Sequence, residues 1–242
     1  MSKSAGIVII GNEVLSGKTQ DTNSYFLCTE LRRLGVEVQK ISTIPDVIEL
    51  IGQEVTAFSE KFDLVFTTGG VGPTHDDVTI DGIAHGFGIR VVRHPDIEQR
   101  MRHRLGADIN EARLRMANVP EGAELLATEA LFAPVVKIRN VFIFPGIPRI
   151  LQERFHVIKE TFRDAPYFLK NVYVKHGEGV IATMLNDLLA KFPQLLLGSY
   201  PVLDTPEYKV KVTLESKDSD YLERALRSFI SSLPDGAVHR ID

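Results

Sequence analysis

The sequence predicts an α/β fold, with an open, mostly parallel sheet flanked by helices and followed by a small α+β domain. In the first part of the chain, apolar strand patterns alternate with amphipathic helix patterns in three successive passes. The continuous apolar run at residues 5–10 is typical of a parallel strand covered on both faces. Around Pro166 the pattern changes to β-α-β-β-α, so we predict one domain over residues 1–165 and a second over 166–242.

Composition narrows the class of protein. The chain has 242 residues, of which 44% are hydrophobic and 25% charged, and its formal net charge is −4. This acidic balance gives no bulk attraction to nucleic acid or to anionic lipid, so we expect neither as a partner. We expect a cytoplasmic protein, because the sequence shows no signal region and no apolar run of membrane-spanning length. The single cysteine, Cys28, excludes an internal disulfide and a multi-cysteine zinc site.

Each of the three predicted β-α units consists of a short strand and a helix that carries one apolar stripe. The predicted strands are residues 5–10, residues 36–42 and the apolar run that ends at Thr68. The stripes are, in chain order, Leu27, Leu31 and Leu34; Ile48, Ile51, Val55 and Phe58; and Val78, Ile80, Ile83 and Phe87. Farther on, residues 134–138 and 141–144 are predicted to form a hairpin about Arg139 and Asn140.

The third strand leads into a glycine-rich loop, residues 69–79, before its helix begins. Glycines let the backbone approach an anion, and free N–H groups at a helix N-terminus point at it, so this arrangement predicts a phosphate site. The loop is not a P-loop, because it contains no lysine. It is not a dinucleotide fingerprint either, because His75 stands where the third glycine belongs.

Two adjacent carboxylates, Asp76 and Asp77, stand in this loop. They would repel a phosphate unless a cation lay between them, so one interpretation is a divalent metal site for Mg²⁺, Mn²⁺ or Co²⁺ with Asp76 and Asp77 as ligands. The alternative interpretation is that one of them caps the following helix.

The loop sequence GGVGPTHDDVT resembles the signature of the MoaB/Mog molybdopterin-binding family. It is most similar to two branches, the CinA-type competence/damage-inducible proteins and the N-terminal domain of eukaryotic-type FAD synthases. MANVPEGA at 116–123 and FPGIP at 144–148 match the same pattern, and GSYP at 198–201 is closer to the FAD synthases. The resemblance implies a MoaB/Mog-like first domain and a KH-like second domain. We expect the chain to be the shared front half of these proteins standing alone.

The resemblance also implies roles for individual residues. In the Mog-type enzymes the chemistry involves two aspartates, which correspond here to Asp46 and Asp77. Asp46 also has Glu49 three residues later, as in a capping box, and one residue can serve both roles. The remaining candidates, for substrate binding, are Gly11, Glu13, Asp21, Asn23, Gly69, Gly70, Gly72, Pro73, Thr74 and Gly146.

The first family loop departs from the pattern at one position. The families have G-D-E-x-L-x-G followed by D-T-N, and here Asn12 stands where they have aspartate. Asp21 and Asn23 could also simply cap the helix that follows. Since the strand ends of a parallel sheet meet at one edge, we expect the largest polar pocket there, lined by Gly11, Asp46, residues 69–77 and Gly146.

Three hypotheses about function follow. The leading one is a metal-dependent nucleotide pyrophosphatase that cleaves FAD or ADP-ribose, as the resemblance implies. The second is molybdopterin binding or adenylylation in molybdenum cofactor assembly. The third is a non-catalytic nucleotide-binding module, which Asn12 favours. In each case the ligand is a nucleotide or a pterin, and the resemblance implies a homo-oligomer, either a dimer or a trimer.

Two further segments are not expected to bind nucleic acid. The basic stretch from Arg93 to Arg115 is interleaved with acidic residues, so we expect a solvated face from which single arginines could still reach a phosphate. The turn at residues 176–179 lacks the clamp spacing of RNA-binding KH domains, and it carries Glu178 where a cation would be needed.

Overall fold

The computed structural model describes residues 3–127, 129–131 and 133–242. The chain divides into two compact units, residues 1–164 and residues 165–242.

The first unit alternates strands and helices. Its strands are β1 Ser4–Ile10, β2 Glu37–Ile44, β3 Leu64–Thr68, β4 Val91–Arg93, β5 Asn118–Pro120, β6 Glu124–Leu126, β7 Val135–Ile138 and β8 Val141–Phe144. Its helices are α1 Asn12–Leu15, α2 Asn23–Arg33, α3 Ile48–Lys61, α4 Thr79–Phe87, α5 Pro95–Leu105, α6 Glu111–Leu114 and α7 Pro148–Ile158. Single 3₁₀ turns cover Gly106–Asp108, Arg115–Ala117 and Lys159–Phe162.

The main sheet has the strand order β2-β1-β3-β8-β7-β6. The pairs β1–β2, β1–β3 and β3–β8 are parallel, whereas β7 pairs antiparallel with both β8 and β6. This confirms the predicted open, mostly parallel sheet flanked by helices. Because β1, β2, β3 and β8 are parallel, their carboxyl ends emerge at one edge, and the loops that follow them meet there.

Apolar layers cover both faces of this sheet. Ile7 and Ile9 of β1 belong to one layer with Phe66 and the helices α2 and α7. The alternate residues Val8 and Ile10 belong to the opposite layer, which α3 and α4 cover. Successive strand residues point to opposite faces, so a strand covered on both sides must be apolar throughout. The continuous run at residues 5–10 has this cause.

The predicted hairpin is present as β7 and β8, with Arg139 at a positive φ of 53° in the turn. Asn140 anchors this turn to the end of α3. Its Nδ2 donates to the carbonyl oxygens of Ser59 and Phe62 at 3.0 and 2.7 Å, and its Oδ1 accepts from Ser59 Oγ at 2.6 Å. Three hydrogen bonds from one side chain therefore hold the hairpin against α3.

The helices α3 and α4 pack with almost no side chain between them at one crossing point. A Cβ atom added to Gly86 of α4 would lie 2.4 Å from the carbonyl oxygen of Gly52 of α3. A Cβ atom added to Gly82 would meet Ile51 Cβ at 2.6 Å. Only glycine permits this approach, and the two helix axes are held close together.

The basic stretch consists of short helices with ion pairs on their surface. Arg102 pairs with Glu98 at 2.6 Å, and Arg93 pairs with Glu111 at 3.1 Å. The sequence analysis did not predict that β4 and β5, which flank this stretch, pair as a separate two-stranded sheet. In the part of the chain that the structure describes, no helix combines the length and apolarity needed to cross a membrane.

The second unit is a small α+β domain, as predicted. Its elements are β9 Phe168–Val174, α8 Glu178–Lys191, β10 Leu196–Pro201, β11 Val210–Ser216, α9 Ser219–Ser232 and β12 Val238–Ile241. All neighbours in the sheet β10-β11-β9-β12 are antiparallel. β12 was not predicted, and with it the element order becomes β-α-β-β-α-β, a split β-α-β arrangement.

Candidate active site at the sheet edge

The glycine loop between β3 and α4 is held tightly against the end of β1. Gly69 has a φ of 105°, and a Cβ atom at this position would lie 1.9 Å from the carbonyl oxygen of Ile10. From the other side, Thr79 Oγ1 donates to the carbonyl oxygen of Gly69 at 2.8 Å, and the Thr79 N–H donates to that of Gly70 at 3.0 Å. The loop is therefore fixed in place by the strand it touches and by the first residue of α4.

A cavity of about 600 Å³ opens onto this loop. Gly69, Gly70, Gly72, Pro73 and Asp77 form the loop side, and Gly146 contributes from the end of β8. Much of the remaining wall is apolar, with Ile80, Ile97, Met101, Val136, Ile143 and Ile150 among its residues. The charged residues in the lining are Glu13, Asp77, Asp81, Arg115 and Arg154.

The carboxylates of Asp76 and Asp77 both turn toward Thr74. Asp77 Oδ2 accepts from the Thr74 N–H at 2.8 Å and lies 2.5 Å from Thr74 Oγ1. The same Oγ1 lies 2.6 Å from Asp76 Oδ1. Since both carboxylates face back into the loop rather than toward the first turn of α4, the alternative that one of them caps this helix is wrong.

One hydroxyl proton serves two carboxylates in this arrangement. Whichever carboxylate accepts it, the other has an oxygen at close range of the Thr74 oxygen with no proton between them. The hydrogen bond from Thr74, together with the backbone N–H of Asp76 itself, lowers the pKa of the Asp76 carboxyl. The cluster is thus rich in negative charge, and a cation would stabilise it.

The donor set around this cluster fits one kind of metal site. Within residues 3–127, 129–131 and 133–242, no group of three or more His, Cys, Asp or Glu side chains could hold a metal ion. Magnesium is commonly held by one or two carboxylates, with water and the phosphates of the substrate as its other ligands. Asp76 and Asp77 supply these two carboxylates, so they fit an ion that binds together with a phosphate rather than a preformed protein cage.

Asp46 lies beside Gly70 of the glycine loop. Its Oδ2 accepts from the backbone N–H of Asn12 at 2.8 Å, and its Oδ1 is 3.4 Å from the position of a Cβ atom on Gly70. The carboxylate therefore binds the start of α1 and not the first turn of α3, so the capping box with Glu49 is not formed. Asn12 makes this contact through its backbone, which an aspartate at the same position could make equally well.

The predicted lining of the pocket was correct only in part. Gly11, Asp46, Thr74 and Asp76 are not among the residues that line the cavity. The Glu13 carboxylate lies over Gly11, with an oxygen 2.5 Å from the position of a Cβ atom there, so Glu13 takes its place in the wall. Asp46 and Asp76 lie beside the loop, and the wall is more apolar than we expected.

Asp21 and Asn23 shape the edge without lining the cavity. Asp21 Oδ1 accepts from the N–H groups of Asn23 and Ser24, both at 3.0 Å, so Asp21 caps the start of α2, as the alternative interpretation proposed. Asn23 is buried, and its Nδ2 donates to Thr68 Oγ1 at 2.9 Å and to the Gly146 carbonyl oxygen at 2.8 Å. Asn23 thereby joins the end of β3 to the loop that follows β8.

Two charged residues of the cavity, Asp81 and Arg154, were not predicted from the sequence, whereas Arg115 belongs to the basic stretch whose arginines were expected to be able to reach a phosphate. Arg115 Nη1 donates to the carbonyl oxygen of Thr74 at 3.3 Å, so one arginine of the basic stretch does reach the loop. The position of Arg154 could have been noticed in the sequence. It interrupts an apolar face of α7 on which Leu151 and Phe155 are buried.

Comparison with known proteins places this site in a family. The family model described as "Probable molybdopterin binding domain" matches residues 6–164, and the model "FAD synthase, middle domain" matches residues 166–242. A protein of Archaeoglobus fulgidus is 35% identical over 229 residues, which cover 95% of this chain and 97% of that protein.

Longer relatives share the same region. A Caenorhabditis elegans protein described as "Probable FAD synthase" is 36% identical over 257 residues, covering 93% of this chain but 49% of its own length. The present chain therefore spans about half of that relative. The crystal structure of the protein CinA from Thermoplasma acidophilum, with its function given as unknown, has a TM-score of 0.61 and 29% identity, covering 66% of this chain and 98% of that chain.

These matches confirm the resemblance to the MoaB/Mog, CinA and FAD synthase group on which the site residues were predicted. The match to the first unit covers the glycine loop, Asp46 and Asp77. The chain belongs to the molybdopterin-binding-domain family, and FAD synthases and CinA-like proteins are among its homologues.

Proposed function

We propose that this protein is a metal-dependent hydrolase that cleaves the pyrophosphate bond of a nucleotide compound such as FAD or ADP-ribose. The observation that carries the proposal is that the carboxylates of Asp76 and Asp77 both lie within hydrogen-bonding distance of Thr74 Oγ1. They belong to the glycine loop, which lines a large cavity. Carboxylates next to a phosphate cradle are unfavourable unless a divalent ion joins them to the phosphate. The same ion, when bound, would supply a water of lowered pKa as the nucleophile.

The residues of the chain divide this work. Gly69 and Gly70 line the cavity and have no side chain to keep a phosphate away. Asp77 and Asp76 would hold the ion, and Asp46, beside Gly70, would orient or deprotonate a water. Arg115 would offset the negative charge that builds up on the phosphate oxygens. The apolar wall suits the ring system of a nucleotide.

A second candidate function is molybdopterin binding or adenylylation, and the family match over residues 6–164 favours it. It would use the same loop and the same aspartates, so the two candidates differ in ligand and not in site. Release of AMP from FAD or ADP-ribose in the absence of any molybdopterin separates them. In either case we propose a nucleotide or pterin ligand and a homo-oligomeric assembly.

The experiment that tests the proposed function is Asp77→Asn. Asparagine keeps a side-chain oxygen that can accept from the Thr74 N–H, so we expect a stability change of roughly 0.5 kcal/mol or less. It removes the charge that would hold the ion, so we expect AMP release to fall about 100-fold or more. FAD and ADP-ribose are each incubated with Mg²⁺, Mn²⁺ or Co²⁺, and the products are separated by chromatography.

The matched control is Asp187→Asn, which removes one negative charge from the exposed face of α8. It should hydrolyse at the wild-type rate. Unchanged turnover in Asp77→Asn would remove Asp77 from the active site. Tight binding of FAD or ADP-ribose by the wild-type chain, with no turnover under any of the three ions, would instead identify a non-catalytic nucleotide-binding module.

A further inference from the structure

The partly buried guanidinium of Arg154 stands in the wall of the cavity. Arg154 lies on α7, and Pro148 and Ile150 of the same helix line the cavity with it. Among the residues that the structure describes, Arg154 makes neither a hydrogen bond nor an ion pair. Arginine has five N–H donors, and none of them has an acceptor among the described residues.

This position is unfavourable for the stability of the protein alone. Leu151, Phe155 and Ile158 of α7 are buried, and Arg154 lies among them in the helix. Burial lowers the pKa of the Arg154 guanidinium, the direction expected of a cation removed from water. An arginine remains charged all the same, and partial loss of its hydration without a hydrogen-bond acceptor among the described residues is unfavourable. A leucine or methionine would pack here without that penalty.

Arg154 also lines the same cavity as the glycine loop. Side chains of a helix lean toward its N-terminus, and α7 begins at Pro148, shortly after Gly146. A Cβ atom on Gly146 would lie 3.3 Å from Gly69 Cα, so the segment that leads into α7 passes close to the glycine loop. A guanidinium that leans toward this end is directed to the region where the phosphates of a nucleotide would lie.

We propose that Arg154 binds a phosphate group of the ligand that occupies this cavity. The planar guanidinium can donate two parallel hydrogen bonds to two phosphate oxygens, and this anion would neutralise the buried charge. The proposal rests on the proposed function in that it assigns a further residue to the same site. It does not require turnover, because an anion can bind whether or not its bond is cleaved.

The binding test uses Arg154→Gln, with Arg227→Gln as the control for net charge. Arg227 is exposed on α9 in the second unit. Isothermal titration calorimetry in the presence of Mg²⁺ measures the affinity of the wild type and of each variant for riboflavin, FMN, FAD and inorganic pyrophosphate. We expect Arg154→Gln to lower the affinity for FMN, FAD and pyrophosphate about 10-fold or more and to leave the affinity for riboflavin unchanged. Arg154→Lys should restore part of the lost affinity.

The second measurement is the thermal stability of the ligand-free protein. Because the unpaired cation opposes folding, Arg154→Met should raise Tm by about 2–4 °C, whereas saturating pyrophosphate should stabilise the wild type more than this variant. A purely structural role for Arg154 predicts the opposite, a lower Tm without ligand.

Several outcomes would overturn the assignment. These are a wild-type chain that binds no pyrophosphate, equal pyrophosphate affinity in Arg154→Gln and wild type, a matching loss of riboflavin affinity, or a lower Tm in Arg154→Met. The proposed function can fail separately. If pyrophosphate binding depends on Arg154 but FAD and ADP-ribose are neither bound nor hydrolysed, the arginine assignment stands and the proposed substrate class is wrong.

Discussion

Replacing Gly69 with alanine should destabilise the first unit more than the same change at a glycine whose Cβ position has no atom nearby. Two separate effects contribute. Gly69 has a φ of 105°, a conformation that costs a residue with a side chain about 1–3 kcal/mol. In addition, the new Cβ atom would lie 1.9 Å from the carbonyl oxygen of Ile10, so the loop and the end of β1 must move apart. Overpacking of this kind costs about 1–3 kcal/mol.

The sum is a loss of about 2–6 kcal/mol in the free energy of unfolding, which corresponds to a fall in Tm of at least about 4 °C for a chain of this size. Gly17→Ala provides the matched control. Gly17 also has a positive φ, 72°, but nothing lies within 4 Å of its Cβ position. It should therefore lose only the conformational part, about 1–2 kcal/mol.

Urea unfolding followed by far-ultraviolet circular dichroism measures both variants, since the chain has no tryptophan to serve as a fluorescent probe. The difference between the two losses reports the contact with Ile10 together with any additional conformational cost of the larger φ at Gly69. If Gly69→Ala loses no more stability than Gly17→Ala, the close approach of the glycine loop to β1 is wrong.

Two further predictions concern side-chain hydrogen bonds. Asn140→Ala removes three hydrogen bonds between the β7–β8 turn and the end of α3, so urea unfolding should show a loss of about 2–3 kcal/mol, and a loss below roughly 0.5 kcal/mol would contradict this anchor. Thr74→Val should raise the pKa of Asp76 toward its usual value, because the hydrogen bond from Thr74 is the largest cause of its lowering. A pKa lowered by folding contributes stability above the usual Asp range that disappears as the pH falls through the folded value, so the variant should lose less stability on acidification. Carbon-13 NMR titration of the Asp76 carboxyl measures the pKa directly, and an unchanged value in Thr74→Val would contradict the assigned cause.

The sequence predicted the elements whose pattern is complete within a short stretch. The strands β1 and β3 are apolar because both of their faces are covered, and the glycine loop follows β3 directly, so each is evident locally. β12 was missed because its last three residues are exposed and only Val238 packs against the core. A strand held mainly by backbone pairing with β9 leaves little hydrophobic pattern to detect.

The site residues likewise divide into those that a local stretch of sequence predicts and those that only the folded structure brings together. Asp77 and the glycines were predicted because they lie together in one loop. Arg154 and Arg115 come from distant parts of the chain, and only the packing of α7 and of the basic stretch brings them to the cavity. The roles of Asp21 and Asn23 could not be chosen from the sequence, because a helix cap and a substrate ligand use the same residue types. Their hydrogen bonds in the structure show that Asp21 caps α2 and that Asn23 joins the end of β3 to the loop after β8.

The contact between Gly52 and Gly86 sets a distance elsewhere in the molecule. Asp46 precedes α3 and Asp77 precedes α4, so the separation of these helices governs the separation of the two loops that carry the aspartates. A single methyl group at Gly86 would act as a wedge against the Gly52 backbone, where a Cβ atom has only 2.4 Å. The gap between the two carboxylates is thus adjustable by adding bulk at Gly86, in the last turn of α4 and away from the glycine loop.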